Sequence, residues 1–206
     1  MPTRTAMPPL DSKTPSARIV LAARTHFFLH GFRRVTMDDL AKELGMSKKS
    51  VYACFPSKIA LLKAVLMDKF DRVESDLQHI TEDCSDVPTA LHRLLACMQR
   101  HTAEIQPPFV RDVGRESPAL FALIQERRRK VIQRYFGKLF DKGRRAGMIR
   151  TDLPSKLIIE ILLGASEAIM NPAKITALKL TPKSGFSAII TIVLEGALTQ
   201  TGRTRP

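Results

Sequence analysis

Residues 36–58 read TMDDLAKELGMSKKSVYACFPSK, and the stops within this stretch decide the fold. Thr36 can cap a helix because its hydroxyl accepts from an orphan amide, and Asp39 three residues on completes a capping box. Leu40, Ala41 and Leu44 then give that helix one apolar face. Gly45 supplies a positive φ at low cost and so ends the helix. Ser47 caps a second, basic helix, Lys48-Lys49-Ser50-Val51-Tyr52-Ala53. Pro56 and Ser57 close it and cap a third. Helix, tight turn and short basic helix describe a helix-turn-helix, whose second helix enters the major groove of DNA.

The upstream stretch Arg18 to Phe32, RIVLAARTHFFLHGF, extends the pattern. Ile19, Ala22, Ala23, Phe27, Gly31, Phe32, Thr36, Leu40, Ala41, Gly45, Ser47, Tyr52, Phe55, Ser57, Lys58 and Leu61 together resemble the N-terminal domain of the tetracycline-repressor (TetR) family. The resemblance covers about 50 residues without a gap. It implies DNA contacts from Thr36, Ser47, Lys48, Lys49, Ser50, Tyr52 and Lys58. Thr36, Tyr52 and Lys58 match positions that face the phosphate backbone. Each also has a plain structural role: a cap, a core wedge, a solvated cation. Lys49 stands where the family often has Gly, and a long cation there can meet a guanine or a phosphate. Cys54 and His26 also replace commoner residues of the pattern, His and Leu.

Composition agrees with an acidic partner. The chain of 206 residues carries a formal charge of +13 and a pI near 10.1, which favours nucleic acid first and an anionic surface second. Cys54, Cys84 and Cys97 make neither a disulfide framework nor a zinc pattern. No catalytic motif or metal-ligand set is evident among the five scattered histidines. The sequence therefore reads as no enzyme and implies no cofactor or metal. No apolar run has transmembrane length, because Glu160 and Glu167 interrupt Leu157 to Met170, so the expected location is cytoplasmic, away from membranes.

Residues 1–13 read as a disordered arm, 14–60 as the DNA-binding domain and 61–201 as a second helical domain. Thr14 and Pro15 start a helix that runs to about His30. Apolar spacing predicts further helices from Ser57 to about Ile80, Pro88 to Glu104, Phe109 to Arg115, Pro118 to Arg145, Pro154 to Met170 and Pro182 to Leu198. Asn171-Pro172 reads as a stop. No strand alternation appears, and the fold class is all-α.

The resemblance implies two tasks for residues 61–201: dimerisation through the last two helices and a ligand pocket among the middle ones. Leu157 to Ala165 is apolar almost all round, so it must be covered on more than one side; a buried one-chain helix is the alternative. The expected interface residues are Ile161, Ala165, Ala168, Phe186, Ile190 and Leu194. The expected pocket residues are Met98, Phe121, Ile124, Arg134 and Leu162. Residues 111–150 hold 12 Lys/Arg against 4 Asp/Glu. Such a run is usually a solvated face; the sharper reading has Arg134 and Lys138 at the pocket mouth, selecting an anionic or acyl-carrying effector. The implied function is a homodimeric regulator, most often a repressor, released from a palindromic operator in double-stranded DNA by a small molecule. An activator of the same fold, or a basic helical protein without operator specificity, are the alternatives.

Overall fold

The computed structural model describes residues 14–83 and 86–199; the expected N-terminal arm, Cys84 and residues 200–201 lie outside them. Helix α1 spans Pro15–His30, capped by Thr14, whose hydroxyl accepts from the Ala17 amide. Helices α2 (Met37–Glu43) and α3 (Lys48–Cys54) follow, then α4 (Lys58–Asp83), α5 (Val87–Ala103) and α6 (Pro107–Glu116). Next come α7 (Pro118–Val131), a π-helical turn at Ile132–Phe136, and α8 (Gly137–Arg145). Helices α9 (Ser155–Ile169), α10 (Pro172–Ala177) and α11 (Pro182–Ala197) complete the fold. Among the described residues the only β pairing is a single bridge between Ile149 and Leu198.

Local signals account for most of these boundaries. Thr36 and Asp39 form the reciprocal capping box, and Ser47 accepts from the Ser50 amide. Gly45 ends α2 at φ 64°, a conformation that costs an L-residue free energy and glycine little. Helix α10 departs from the sequence reading. Asn171 does end α9, but its side chain also accepts from the Lys174 amide, and Pro172 occupies the first turn of a new helix. An Asn-Pro pair is a start signal as well as a stop, because proline lacks only an amide that a first turn leaves unbonded. The long segment expected from Pro118 to Arg145 is helical throughout but carries the π turn, where the Tyr135 hydroxyl donates to the Glu74 carbonyl on α4 at 3.1 Å.

The buried side chains form two clusters. The first joins Ile19, Phe27, Leu40 and Val51 to Leu61, Leu62, Val65 and Leu66 of α4, and also to Phe109 and Val113 of α6. This core therefore continues past residue 60 and includes α6. The second packs Val73 and Leu77 of α4 against Leu94, Phe136, Phe140, Leu162 and Phe186. Helix α4 is continuous through both. At 1.5 Å per residue its 26 residues reach about 39 Å. No single described helix is long and apolar enough to cross a membrane.

Candidate nucleic-acid interface and internal cavity

The α2–α3 unit presents Ser47, Lys48, Lys49, Ser50 and Tyr52 to solvent on one short helix. Their positions follow from burial of the opposite side: Val51 is fully buried, so its neighbours along the helix must point out. The Ser47 and Ser50 hydroxyls lie 2.8 Å apart. Lys48 pairs with Asp38 of α2, and that carboxylate pushes its ammonium pKa up. Lys49 is exposed and, among the described residues, makes no ion pair. The Tyr52 side chain stands 47% exposed, compatible with a ring that packs at its base while its hydroxyl reaches outward.

Thr36 and Lys58 are more tightly bound into the fold than exposure alone suggests. The Thr36 hydroxyl donates to Asp39 Oδ2 at 2.6 Å and accepts from the Asp39 amide at 3.1 Å. Lys58 Nζ lies 4.3 Å from the centroid of the Phe32 ring and donates to the Arg33 carbonyl at 3.4 Å. Burial pulls the Lys58 pKa below its usual value. The structure thus places its charge at the turn between α1 and α2, beside the recognition helix.

That turn is held from the second half of the chain. Gly31 adopts φ 90°, and a Cβ there would lie 2.7 Å from Asp112 Oδ2. Asp112, on α6 and 4% exposed, accepts from the Arg33 amide at 2.9 Å. At the start of α6 the Gln106 amide donates to the Phe28 carbonyl at 3.0 Å, and Arg33 reaches Glu116 at 3.2 Å. Nothing in the local spacing of residues 105–117 points to this latch, because its partners are 79 residues apart in sequence.

Behind α6 lies a cavity of about 980 Å³, its open mouth included. Its wall is apolar: Phe28, Met98, Phe109, Val113, Phe121, Ile124, Val131 and Phe186 all contribute. Met98, Phe121 and Ile124 were expected there and line it. Arg134 and Leu162 do not. Leu162 is fully buried in the second core. Arg134 is exposed, over the Tyr135 ring at 5.5 Å, beside a separate depression that Lys138 also lines. The reason is axial. Arg134 follows Arg128 by six residues, about 9 Å along the helix, and the cavity ends near Val131. The cations that do reach the cavity are Arg128 and Lys69, with His101 beside them.

Lys69 and His101, both buried, belong to a polar network that reaches the surface at Glu104 and Asp76. Lys69 Nζ pairs with Glu104 at 2.8 Å and lies 3.0 Å from His101 Nδ1, while His101 Nε2 lies 2.8 Å from Asp76. An ammonium can only donate, so Nδ1 accepts and the ring is a neutral imidazole donating to Asp76 through Nε2. Burial, then the adjacent Lys69 charge, lowers the His101 pKa. Asp76, Cys97 and His101 place potential ligand atoms within 4.8 Å of one another, a cluster the scattered histidines of the sequence do not announce. Arg100 donates to Asp76 at 3.0 Å, and burial pushes the Cys97 thiol up. Two nearby cations and a thiol kept protonated oppose a divalent ion there.

The expected interface residues divide in the same way. Phe186, Ile190 and Leu194 are buried in the chain's own second core, and Ala165 is half-buried against it. Helix α11 carries apolar side chains on two faces, and these three occupy the inward one. Ile161 is 51% exposed and Ala168 is exposed. With Leu157 and Gly164 they form one stripe of α9 open to solvent, and Ile192 of α11 is 71% exposed.

A recognition helix set at a fixed turn, joined by α4 and α6 to a helical domain with an apolar cavity, defines a DNA-binding regulator of the helix-turn-helix class. Residues 19–65 match the family model described as "Bacterial regulatory proteins, tetR family". Over those residues the chain is similar to the family's DNA-binding domain. It is 23% identical over 195 residues to the HTH-type transcriptional regulator UidR of Escherichia coli K12, across 92% of this chain and 95% of UidR. Among solved structures it is similar to a regulator from Saccharomonospora viridis in complex with choline (TM-score 0.69, 17% identity, covering 90% of this chain and 98% of that one). The SmeT–triclosan complex is also similar (TM-score 0.63, 20% identity, 90% and 92%). At these identities the structural likeness shows the fold.

Proposed function

We propose that the protein is a homodimeric repressor that binds a two-fold operator through paired α3 helices and leaves it when a small molecule occupies the cavity. One observation carries this reading. Helix α6 lines the cavity with Phe109, Val110 and Val113, and the same helix holds the α1–α2 turn through Asp112 and Gln106. A ligand that displaces α6 has a direct physical route to the DNA-binding unit. To act, it must bind better to the conformation in which the recognition helices are wrongly spaced, since equal affinity for both states shifts nothing.

The DNA contacts in this reading are Ser47, Lys49, Ser50 and Tyr52 from α3, with Lys48 freed from Asp38 or bridging to phosphate. Thr36 and Lys58 act at the helix starts. The dimer forms on the exposed stripe Leu157, Ile161, Gly164 and Ala168, together with Ile192, where small residues allow close approach of a second copy. Patches of this kind, apolar and exposed, commonly mark interaction sites, and a two-fold pair of chains matches a palindromic site.

The test is binding of the full chain to its own promoter region and to a scrambled fragment of equal composition, at matched salt. A specific regulator is expected to prefer one site by roughly 10³–10⁷ and to protect a two-fold sequence. Equal affinity for both fragments contradicts operator recognition.

A further inference from the structure

The polar groups of the cavity wall are few, and their charges can be matched one by one. Lys69 is neutralised by Glu104 at 2.8 Å. His101 is a neutral imidazole held between Lys69 and Asp76. Arg128 is different. Its described hydrogen bond goes to the uncharged Gln125 side chain at 2.7 Å. The carboxylate that acts on it, Glu167, is bonded to Arg129 at 2.6 Å. A guanidinium has five N–H donors and cannot shed its charge at neutral pH. Apart from the Thr102 hydroxyl, which donates to the Met98 carbonyl at 2.9 Å, the rest of the cavity lining is apolar.

We infer that the cavity takes an amphipathic carboxylate, whose head pairs with the Arg128 guanidinium and whose apolar body lies among Phe28, Met98, Phe121, Ile124 and Phe186. The inference rests on reading the cavity as a ligand site and names the ligand's class. A planar carboxylate matches the guanidinium fork with two parallel hydrogen bonds, and charge-assisted bonds of this kind are roughly twice as strong as neutral ones. A neutral ligand leaves those donors unmatched in an apolar wall, and a cation adds like-charge repulsion. Burial pushes the Arg128 guanidinium down to about 10 against the opposing pull of Glu167; a bound carboxylate adds to that pull. The cation is neither Arg134 nor Lys138, the two that the sequence reading favours. Arg127 pairs with Glu74, Arg129 with Glu167 and Glu160, and Lys130 with Glu126, so Arg128 is the one of these four neighbours that lines the cavity and makes no direct ion pair among the described residues.

Calorimetric titration of the full chain, free of DNA, with decanoate, decan-1-ol and decyltrimethylammonium is the test. Decanoate is expected to bind at least tenfold more tightly than the alcohol, with the ammonium weakest. Arg128→Met should abolish the preference for decanoate, and Arg128→Lys should retain part of it. Three results overturn the inference: no binding of decanoate, equal affinity for decanoate and decanol, or a preference unchanged in a folded Arg128→Met protein. The ranking in the unsubstituted protein decides the matter even if that variant fails to fold. Should decanoate bind through Arg128 while the protein stays on its promoter, the ligand class stands and the release mechanism falls.

Discussion

The recognition unit turns its chemistry outward and the cavity turns its chemistry inward, and the two are specified over different distances along the chain. Ser47, Lys49 and Tyr52 are exposed at a seven-residue helix that Ser47 caps directly after the turn at Gly45. The caps and the turn that shape this helix lie within about a dozen residues. The cavity is walled by side chains from α1, α4, α5, α6, α7, α10 and α11, so no one segment contains it. Local caps shape the first site's helices, while the turn beside them is held from α6. Only the packed tertiary structure makes the second, which is why it can respond when that packing shifts.

The largest expected effects test whether the two regions form one cooperative unit. Phe27→Ala removes a fully buried ring from the first core and should cost about 3–5 kcal/mol. Because α4 and α6 join both cores, denaturant unfolding should remain a single transition at a lower midpoint. Two separate transitions would break the picture of a shared α4–α6 framework.

Interface substitutions come next and separate the outward from the inward face of the last helices. Ile161→Asp combined with Ile192→Asp should give folded monomers by sedimentation, since an unpaired charge is not tolerated in an interface core. Ile190→Asp should instead unfold the domain, as it places the charge in the chain's own core. Intact dimers in the first variant would move the interface elsewhere.

Smaller effects are expected at the DNA face. Lys49→Ala should weaken promoter binding with helical content unchanged, and its salt dependence should flatten by about one unit if the contact is to phosphate. A loss confined to one base position would assign Lys49 to base reading instead. Lys58→Ala should show the same flattening plus a modest loss of stability, because its ammonium also lies over Phe32.

The smallest effect is a pH dependence from the network around His101. The folded His101 pKa lies below the ordinary 6.5, so the unfolded chain binds more protons in the window beneath that value. Its contribution to stability is complete above about pH 6.5 and is lost as pH falls through the folded pKa. Denaturation midpoints should decline across that window in the native protein and decline less in His101→Gln.

How far the sequence carries depends on the same distances. The caps at Thr14, Thr36 and Ser47, the glycine stops and the apolar periodicity place most helices and the whole recognition unit. Met98, Phe121 and Ile124 reach the cavity as their helical stripes imply. Arg134 fails because the choice between Arg128 and Arg134 depends on where along α7 the cavity ends. Phe186, Ile190 and Leu194 fail for a related reason: α11 has two apolar faces, and periodicity does not say which one meets its own chain. Asp112 gave no signal at all, since its partner is the backbone amide of Arg33.

That last contact is where the two regions meet, and it offers the most direct test of the account. Asp112→Ala leaves every proposed DNA contact unsubstituted and removes the acceptor for the buried latch at the α1–α2 turn; losing such an acceptor typically costs about 1–3 kcal/mol. Promoter affinity should be measured by fluorescence anisotropy for the native and Asp112→Ala proteins at equal dimer content and helicity, with Lys138→Ala as a surface control. The Asp112 variant should lose at least tenfold in affinity while the control is unchanged. Equal affinities in all three proteins would contradict the claim that the cavity domain governs the DNA-binding unit through α6.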